Sequence, residues 1–257
     1  MFRMLFLSLP IPLFTMLCSA DAAAADYLLS VGFDDGKVPT TFDASGNDTA
    51  RAIDRTVRID LDRYKDGTPE RTELVPKKLP ASTFDDGKYA RTGQEYWYGM
   101  RMLVPSTWKA DNSYEIVTQW HGLNQGAAVA LRMDCLGLSA GVHPPKKEIA
   151  DKWMLMVNGK AYNLGDIAPS AGKWVDWVFR VRWSSFSDGR VTIWRDKQLV
   201  KDINGATMKA DTSGPYWKFG IYKSPWNQVP SLVPMQSHRT LFFDNIRIAQ
   251  GASINSF

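Results

Sequence analysis

The stretch SYEIVTQWHG, residues 113–122, has the pattern of a β-strand and is the strongest local indication of the fold. In a strand, side chains two positions apart lie on the same face. A glutamine and a histidine two apart would therefore enter the same space, with one carboxylate nearby. One face would carry Glu115, Val117, Gln119 and His121, and the other Ile116, Thr118 and Trp120.

Short segments of the same character fill the chain from about residue 27 to residue 250. They are rich in aromatic and β-branched residues, and turn signals such as DDG, NGK and SDG separate them. No long segment keeps a helical period, and no internal repeat is visible. Ten or so strands in one domain predict an all-β fold, a two-sheet antiparallel β-sandwich of the jelly-roll type.

The N-terminus reads as an export signal. Arg3 precedes an apolar run from Leu5 to Leu17, and alanines follow up to Ala25. The run is too short to cross a bilayer, so it predicts a secretory signal peptide over residues 1–25 rather than stable membrane insertion. A lipoprotein site at Cys18 is the less favoured alternative. Residues 26–257 are then a single domain that we expect in the periplasm or outside the cell.

Composition narrows the classes of partner. Without the signal peptide Cys135 is the only cysteine, so the domain has no internal disulfide. The formal net charge of +4 suits a polyanion, but no basic run indicates nucleic acid. Three histidines and one cysteine lack zinc-ligand spacing. We expect a monomer that binds an anionic polysaccharide.

Three strands would present a polar face opposite an apolar one. Arg71 and Glu73 share a face in RTEL, as do Gln119 and His121 in QWH. In YWKFGIYK, one face carries Tyr216, Lys218, Gly220 and Tyr222, and the other carries Trp217, Phe219 and Ile221. The small Gly220 would leave room for a bulky ligand.

These three motifs resemble the R-x-E-L, Q-x-H and Y-x-K-x-G-x-Y motifs of the alginate-lyase-like polysaccharide lyases. The wider sequence is more similar to the heparin lyase I-like and glucuronan lyase enzymes of polysaccharide lyase family 20. Four phrases carry that similarity, in the family's order between Phe33 and Ile248. The resemblance implies a concanavalin A-like jelly roll. The phrases are EYWYGMRMLVPSTWKADNSYEIVTQWHG, GKWVDWVFRVRWS, YWKFGIY and FFDNIRI.

The resemblance implies β-elimination of a uronate polymer, glucuronan-like in the first instance. The C5 proton of a uronate is poorly acidic, so the enzyme must stabilise the negative charge that develops beside the sugar carboxylate. Gln119 would do this with help from Arg71 or His121. By resemblance Tyr222 protonates the leaving oxygen, and either His121 or Tyr222 is the base. No cofactor is required for this chemistry.

Four basic residues form the predicted substrate-binding set. Arg71 suits bidentate carboxylate recognition. Lys218 would bind substrate or lower the pKa of Tyr222. Arg132, like Arg101, lies on a predicted strand and could add an anionic subsite or only a surface charge. Lys223, the fourth residue, is followed by Ser224, whereas alginate lyases commonly carry a residue and then Gln after the tyrosine. This departure puts an alginate substrate in doubt.

Two other sugar-acting classes remain as alternatives. A retaining glycoside hydrolase needs two carboxylates about 5 Å apart, whereas the strand face with Gln119 offers only Glu115. A non-catalytic, lectin-like domain would bind sugars on the same fold, but it gains nothing from the alignment of Gln119, His121 and Tyr222.

A structural calcium ion is a further expectation. The segments FDDG and FFDN would bring Asp34 and Asp244 to adjacent strands, where carboxylates and backbone carbonyls could bind the ion. The favoured alternative is that Asp34 caps a turn and that Asp244 pairs with Arg239 or Arg247.

Overall fold

The computed structural model describes residues 25–46, 50–65, 70–135, 149–229 and 231–257. The predicted signal peptide lies outside these residues, apart from Ala25. In the described part of the chain no helix is long and apolar enough to span a membrane. The helical segments are short: α1 (Pro225–Gln228) and the 3₁₀ turns Ala168–Ser170 and Ile254–Ser256.

Strands account for most of the described chain. In order they are β1 (Asp26–Val31), β2 (Phe42–Gly46), β3 (Ala50–Ile53), β4 (Thr56–Asp62), β5 (Arg71–Pro76), β6 (Phe84–Asp85), β7 (Tyr89–Ala90), β8 (Glu95–Leu103), β9 (Glu115–His121), β10 (Ala127–Asp134), β11 (Lys152–Val157), β12 (Lys160–Asp166), β13 (Trp174–Arg182), β14 (Arg190–Arg195), β15 (Gln198–Asn204), β16 (Tyr216–Tyr222) and β17 (His238–Gln250).

Two large antiparallel sheets confirm the predicted sandwich. The front sheet has the order β12-β11-β10-β9-β16-β5-β2, and the back sheet has the order β15-β14-β13-β8-β17-β4-β3, with β1 also paired to β17. Strands β6 and β7 form a separate short hairpin. The three predicted polar-faced strands, β9, β16 and β5, are neighbours in the centre of the front sheet.

Aromatic side chains fill the space between the sheets. Trp120 of β9 stacks on Trp217 of β16, with ring centroids 6.0 Å apart, and lies 4.9 Å from Phe179 of the back sheet. All three are buried, so Trp120 and Trp217 pack inside the sandwich. Large aromatic rings dominate the energetics of such cores. Because these rings hold one face of β9 and β16 in the core, the opposite face of each strand points outward.

A β-bulge in β9 changes the predicted alternation. Thr118 pairs with Leu131 of β10 and Ile116 with Arg132, so Val117 is an extra residue on β9. Such a bulge reverses the facing of residues on one side of it. Val117 therefore lies in the core, and Ile116 lies on the outer face beside Gln119. The prediction that Glu115 and Val117 share a face with Gln119, and that Ile116 lies on the other face, was wrong for this reason: Glu115 is directed to Arg239 of the back sheet.

Candidate active site

A cavity of about 410 Å³ lies on the outer face of the front sheet. Its size is within the range of small-molecule sites. Gln119, His121 and Tyr222 all line it, so the structure brings the three predicted catalytic residues together. None of the described residues that line the cavity is an aspartate or a glutamate.

Strand register explains this convergence. Gln119 of β9 lies opposite Lys218 of β16, and Tyr222 lies opposite Arg71 of β5. Glu73 of β5 lies opposite Gly220. Gly220 has φ +141°, and an added Cβ would stand 2.3 Å from the carbonyl oxygen of Thr72. The close approach of the β5 backbone therefore requires this glycine, rather than the approach of a ligand.

Glu73 holds the amide of Gln119. The Gln119 Nε2 donates a hydrogen bond of 2.5 Å to Glu73 Oε1, and both side chains are buried. This bond uses one N–H of the amide group, and the same nitrogen carries a second N–H. Glu73 shares its predicted strand face with Arg71, but no role was predicted for it. The R-x-E spacing was the available signal, because it places Glu73 on the outer face.

Cations surround the Glu73 carboxylate. Lys218 Nζ and Arg71 Nη1 each lie 3.8 Å from Glu73 Oε2, and Arg71 Nη2 lies 3.3 Å from Glu70. Burial raises the pKa of Glu73 and lowers that of Lys218. Lys218 is 5% exposed and is absent from the cavity lining. Its charge therefore acts on the site through the buried Glu73 carboxylate.

His121 is held as a neutral imidazole. Its Nδ1 lies 2.8 Å from the carbonyl oxygen of Gly122, and a carbonyl only accepts, so Nδ1 carries the proton in the neutral ring. The other nitrogen, Nε2, then has a free lone pair. Burial lowers the pKa of His121, and the nearby charges of Lys218, Arg71 and Lys88 lower it further.

Tyr222 remains a protonated phenol under ordinary conditions. Burial raises its pKa, while the Arg71 guanidinium, 4.1 Å from the ring centre, acts in the opposite direction. Arg71, rather than Lys218 as predicted, is therefore the cation that acts to lower the pKa of Tyr222. A protonated phenol beside a guanidinium is able to donate a proton and then exist as a stabilised phenolate.

Lys88 and Tyr216 extend the site beyond the predicted residues. Lys88 follows the β6 strand, and its Nζ lies 4.1 Å from the ring centre of Tyr216. The Tyr216 ring is 5.7 Å from that of His121. Lys88 lies in the β6–β7 hairpin, outside the three motifs, so nothing in the sequence pointed to it.

Lys223 is not a substrate-binding residue, contrary to the prediction. Its side chain is fully buried, and its Nζ lies 2.9 Å from Asp111 Oδ2 and 3.7 Å from Glu115 Oε2. Arg239 of the back sheet completes the cluster with Nη2 2.5 Å from Glu115 Oε1. Tyr222 ends the outward alternation of β16, and the chain then turns inward, so a polymer outside the sheet cannot reach the Lys223 ammonium.

Replacing Lys223 by methionine should lower the free energy of unfolding by about 3–5 kcal/mol, because it leaves buried carboxylates short of a cation. Urea unfolding followed by circular dichroism measures the change. Lys160→Met, at an exposed position on β12, is the matched control and should have little effect. A Lys223→Met protein of normal stability with a raised KM would contradict this structural role.

Arg132 and Arg101, the two arginines predicted as possible anionic subsites, lie in different sheets. Arg132 lines the cavity, whereas Arg101 lies on β8 of the back sheet, where its Nε is 3.6 Å from Asp176 Oδ1. Arg132 Nη2 lies 2.6 Å from Asp134 Oδ2, and the guanidinium carbon is 3.7 Å from the ring centre of Tyr114. The structure therefore leaves Arg132 as a candidate ligand-binding residue and removes Arg101.

The two predicted calcium ligands converge but form an incomplete site. Oxygens of Asp34 and Asp244 lie 3.2 and 3.7 Å from the point where a Cβ on Gly32 would stand. Arg55 already binds Asp34, with 2.6 Å between Nε and Oδ1. In the described ranges no third acidic, histidine or cysteine side chain joins them. Calcium requires several oxygens, so these residues alone do not fit it, and calcium binding stays a prediction.

The alternative partners proposed for these two aspartates are corrected in part. Asp34 pairs with Arg55 rather than only capping a turn. Arg239 pairs with Glu115 across the sandwich, so it is not the partner of Asp244. Arg247 is directed to the backbone carbonyl of Ser256, at 3.5 Å.

Solved structures with this fold have diverse activities. An endo-β-1,4-glucuronan lyase from the fungus Trichoderma reesei matches with a TM-score of 0.57 and 16% identity, over 88% of this chain and 94% of that chain. The alginate lyase Aly36B gives 0.53 and 13%, over 89% and 98%. The binding domain of botulinum neurotoxin DC, in complex with rat synaptotagmin II, gives 0.56 and 9%, over 90% and 49%. At these identities the likeness shows the fold alone.

The family of the chain is shown by its sequence rather than by its fold. No curated protein sequence matches this chain. The family model described as polysaccharide lyase matches residues 39–247, which include β5, β9 and β16 with all three polar motifs. That range covers most of the chain. The chain therefore belongs to the polysaccharide lyase family and is a polysaccharide lyase.

Proposed function

We propose that this lyase cleaves a glucuronan-like uronate polysaccharide by β-elimination at the cavity that Gln119, His121 and Tyr222 line. One observation carries the proposal. The cavity combines an amide, a neutral imidazole and a phenol, and no carboxylate is among its described lining residues. A retaining hydrolase would need two carboxylates about 5 Å apart, and the one considered above, Glu115, is buried against Arg239.

Gln119 would stabilise the charge that develops during proton removal. The C5 proton becomes acidic only if the adjacent sugar carboxylate is held by donors, because the intermediate places further negative charge on it. Gln119 supplies the second N–H of an amide that Glu73 fixes in place. The cations Arg71, Lys218 and Lys88 lie close enough to act on the charge of His121, so they would also attract an incoming carboxylate.

His121 would remove the C5 proton and Tyr222 would protonate the leaving C4 oxygen. The depressed pKa of His121 and the raised pKa of Tyr222 match these two tasks. Both side chains rise from one face of one sheet and line the same cavity, so both can act on a sugar ring that lies flat on that face. In a glucuronate the C5 hydrogen and the C4 oxygen lie on the same side of the ring, which supports a glucuronan-like polymer.

A polymer panel tests the proposed activity. The purified mature chain is incubated with glucuronan, alginate, heparin and hyaluronan, and the ultraviolet absorbance of an unsaturated uronate is followed. We expect the signal to rise fastest with glucuronan. New reducing ends without absorbance would identify a hydrolase, and binding without any new ends would identify a lectin-like domain. The predicted signal peptide over residues 1–25 would direct export to the periplasm or beyond, which fractionation of the native host would test.

The pH dependence of kcat/KM should identify the base. If His121 is the base, activity falls only when acid protonates it, and its lowered pKa places that acidic limb below pH 6.5. If Tyr222 were the base, activity would need the phenolate and would keep rising toward pH 10 and above, because burial raises its pKa. Initial rates measured from about pH 4 to about pH 10 distinguish the two, because the two pH profiles differ in direction above neutrality.

A further inference from the structure

The cavity continues past the catalytic residues, over β10 and β11. Ile116, Ala130 and Met156 form an apolar cluster there, together with Tyr114. The elimination chemistry uses none of these side chains. A cavity of about 410 Å³ has the volume of more than ten waters at about 30 Å³ each, so it holds more than the reacting carboxylate.

Arg132 is the charged group at this end of the cavity. Its side chain is 5% exposed, and its guanidinium stacks on Tyr114 while Asp134 binds one nitrogen. Nη2 is the nitrogen paired with Asp134 and is not aligned for a hydrogen bond, and Nε has no hydrogen-bond partner among the residues that the structure describes. A buried guanidinium has five donors in a rigid fork that suits a carboxylate, so it is poorly satisfied here without a ligand.

Strand register gives the separation between this group and the reaction centre. Tyr222 lies opposite Ile116, and Ile116 lies opposite Arg132, on three successive strands of the front sheet. Neighbouring strands are about 4.8 Å apart, so Arg132 stands roughly 10 Å from Tyr222 across the strands. That spacing exceeds the reach of one sugar carboxylate, and a polymer lying across the strands would meet both positions.

We propose that Arg132 binds the carboxylate of a second uronate residue of the polymer while the reacting uronate lies over Gln119. Ile116, Ala130 and Met156 would contact the apolar face of the intervening sugar. This inference rests on the proposed function and adds a specificity determinant to it. Polymers that carry a neutral sugar at the Arg132 position lose the contact and are poorer substrates.

Kinetics of an Arg132→Gln protein on glucuronan test the proposal. A contact remote from the reacting atoms stabilises ground and transition states equally, so KM should rise about tenfold or more while kcat changes little. Arg101→Gln is the matched control, because Arg101 also pairs with an aspartate and lies near a tryptophan, but on the back sheet. Its KM should equal that of the wild type.

A second variant covers a folding defect in Arg132→Gln. Arg132→Lys keeps a cation for Asp134 but loses the planar fork, so it should fold normally and still raise KM. On glucuronan the wild type should have a lower KM than Arg132→Lys. When half of the carboxyls of the polymer are methyl-esterified, roughly half of this difference in KM should disappear. An unchanged KM in both variants, with the wild type active, overturns the Arg132 inference.

Equilibrium binding separates this inference from the activity itself. Glucuronan binding is measured in a Tyr222→Phe background, where the polymer stays intact, with and without Arg132→Lys. Weaker binding by about tenfold supports the second-carboxylate site. Absence of cleavage by the wild type on every polymer would refute the proposed function, and equal binding by both proteins would refute the role of Arg132.

Discussion

Replacing Tyr222 by phenylalanine should lower kcat by at least about a hundredfold, the lower end for loss of a general acid or base. The phenol is the group with a raised pKa that lines the cavity, and Arg71 lies 4.1 Å from its ring centre to stabilise the phenolate that forms. Phenylalanine keeps the ring and its packing beside Ile116 but has no proton to give. Steady-state rates on the preferred polymer measure the effect.

Tyr162→Phe is the control for Tyr222→Phe. It removes the same hydroxyl group from the same sheet, on β12, away from the cavity. We expect its kcat to equal the wild-type value. Both variants should melt at the wild-type temperature, because neither removes a buried ring. A Tyr222→Phe protein that keeps most of its activity would disprove the assignment of the acid.

Replacing His121 by alanine should also lower kcat by at least about a hundredfold, because water is a much weaker base toward the C5 proton. The half-buried ring leaves a space beside Tyr216 when it is removed. Added imidazole should enter this space and restore part of the rate in proportion to its neutral fraction. His238→Ala, at the exposed start of β17, is the matched control and should be fully active.

A different outcome would identify another base. If His121→Ala loses activity that imidazole does not restore, while the remaining activity rises steadily with pH, then Tyr222 serves as both base and acid. The site would keep its place in the cavity, and the role of His121 would become binding of the sugar carboxylate beside Gln119.

The polar faces of the three central strands were predictable because side-chain alternation needs only the local sequence. Trp120 and Trp217 are large and apolar, so they fix the inward face, and Gln119 and Tyr222 must then point outward. The order of the strands in the sheet was not predicted, because it depends on pairing between residues far apart in the sequence. The two-sheet fold followed from the number and length of the strands.

The bulge at Val117 was not predictable from the same alternation. An extra residue on β9 is fixed by pairing with β10 and β16, which the local pattern does not contain. The bulge directs Ile116 to the cavity, where it forms part of the apolar cluster beside Arg132. Local alternation alone therefore gave the wrong surroundings for the second half of the site.

The burial of charged side chains was the second feature that the sequence did not predict. Lys223 follows Tyr222 directly, and lysine is rarely fully buried, so the sequence favoured a role at the surface. The ammonium is stabilised instead by Asp111 and Glu115, whose positions depend on tertiary packing. The hydrogen bond from Gln119 to Glu73 joins two strands 46 residues apart and is hidden from the sequence for the same reason.

The mass spectrum of a glucuronan digest is the most direct test of β-elimination. Elimination breaks the bond at C4 without adding water, so each new non-reducing end carries a double bond between C4 and C5. The account predicts that fragments released from the chain interior are one water lighter than saturated oligomers, and that Tyr222→Phe releases almost none. Saturated fragments, each heavier by that one water, would show hydrolysis and contradict the account.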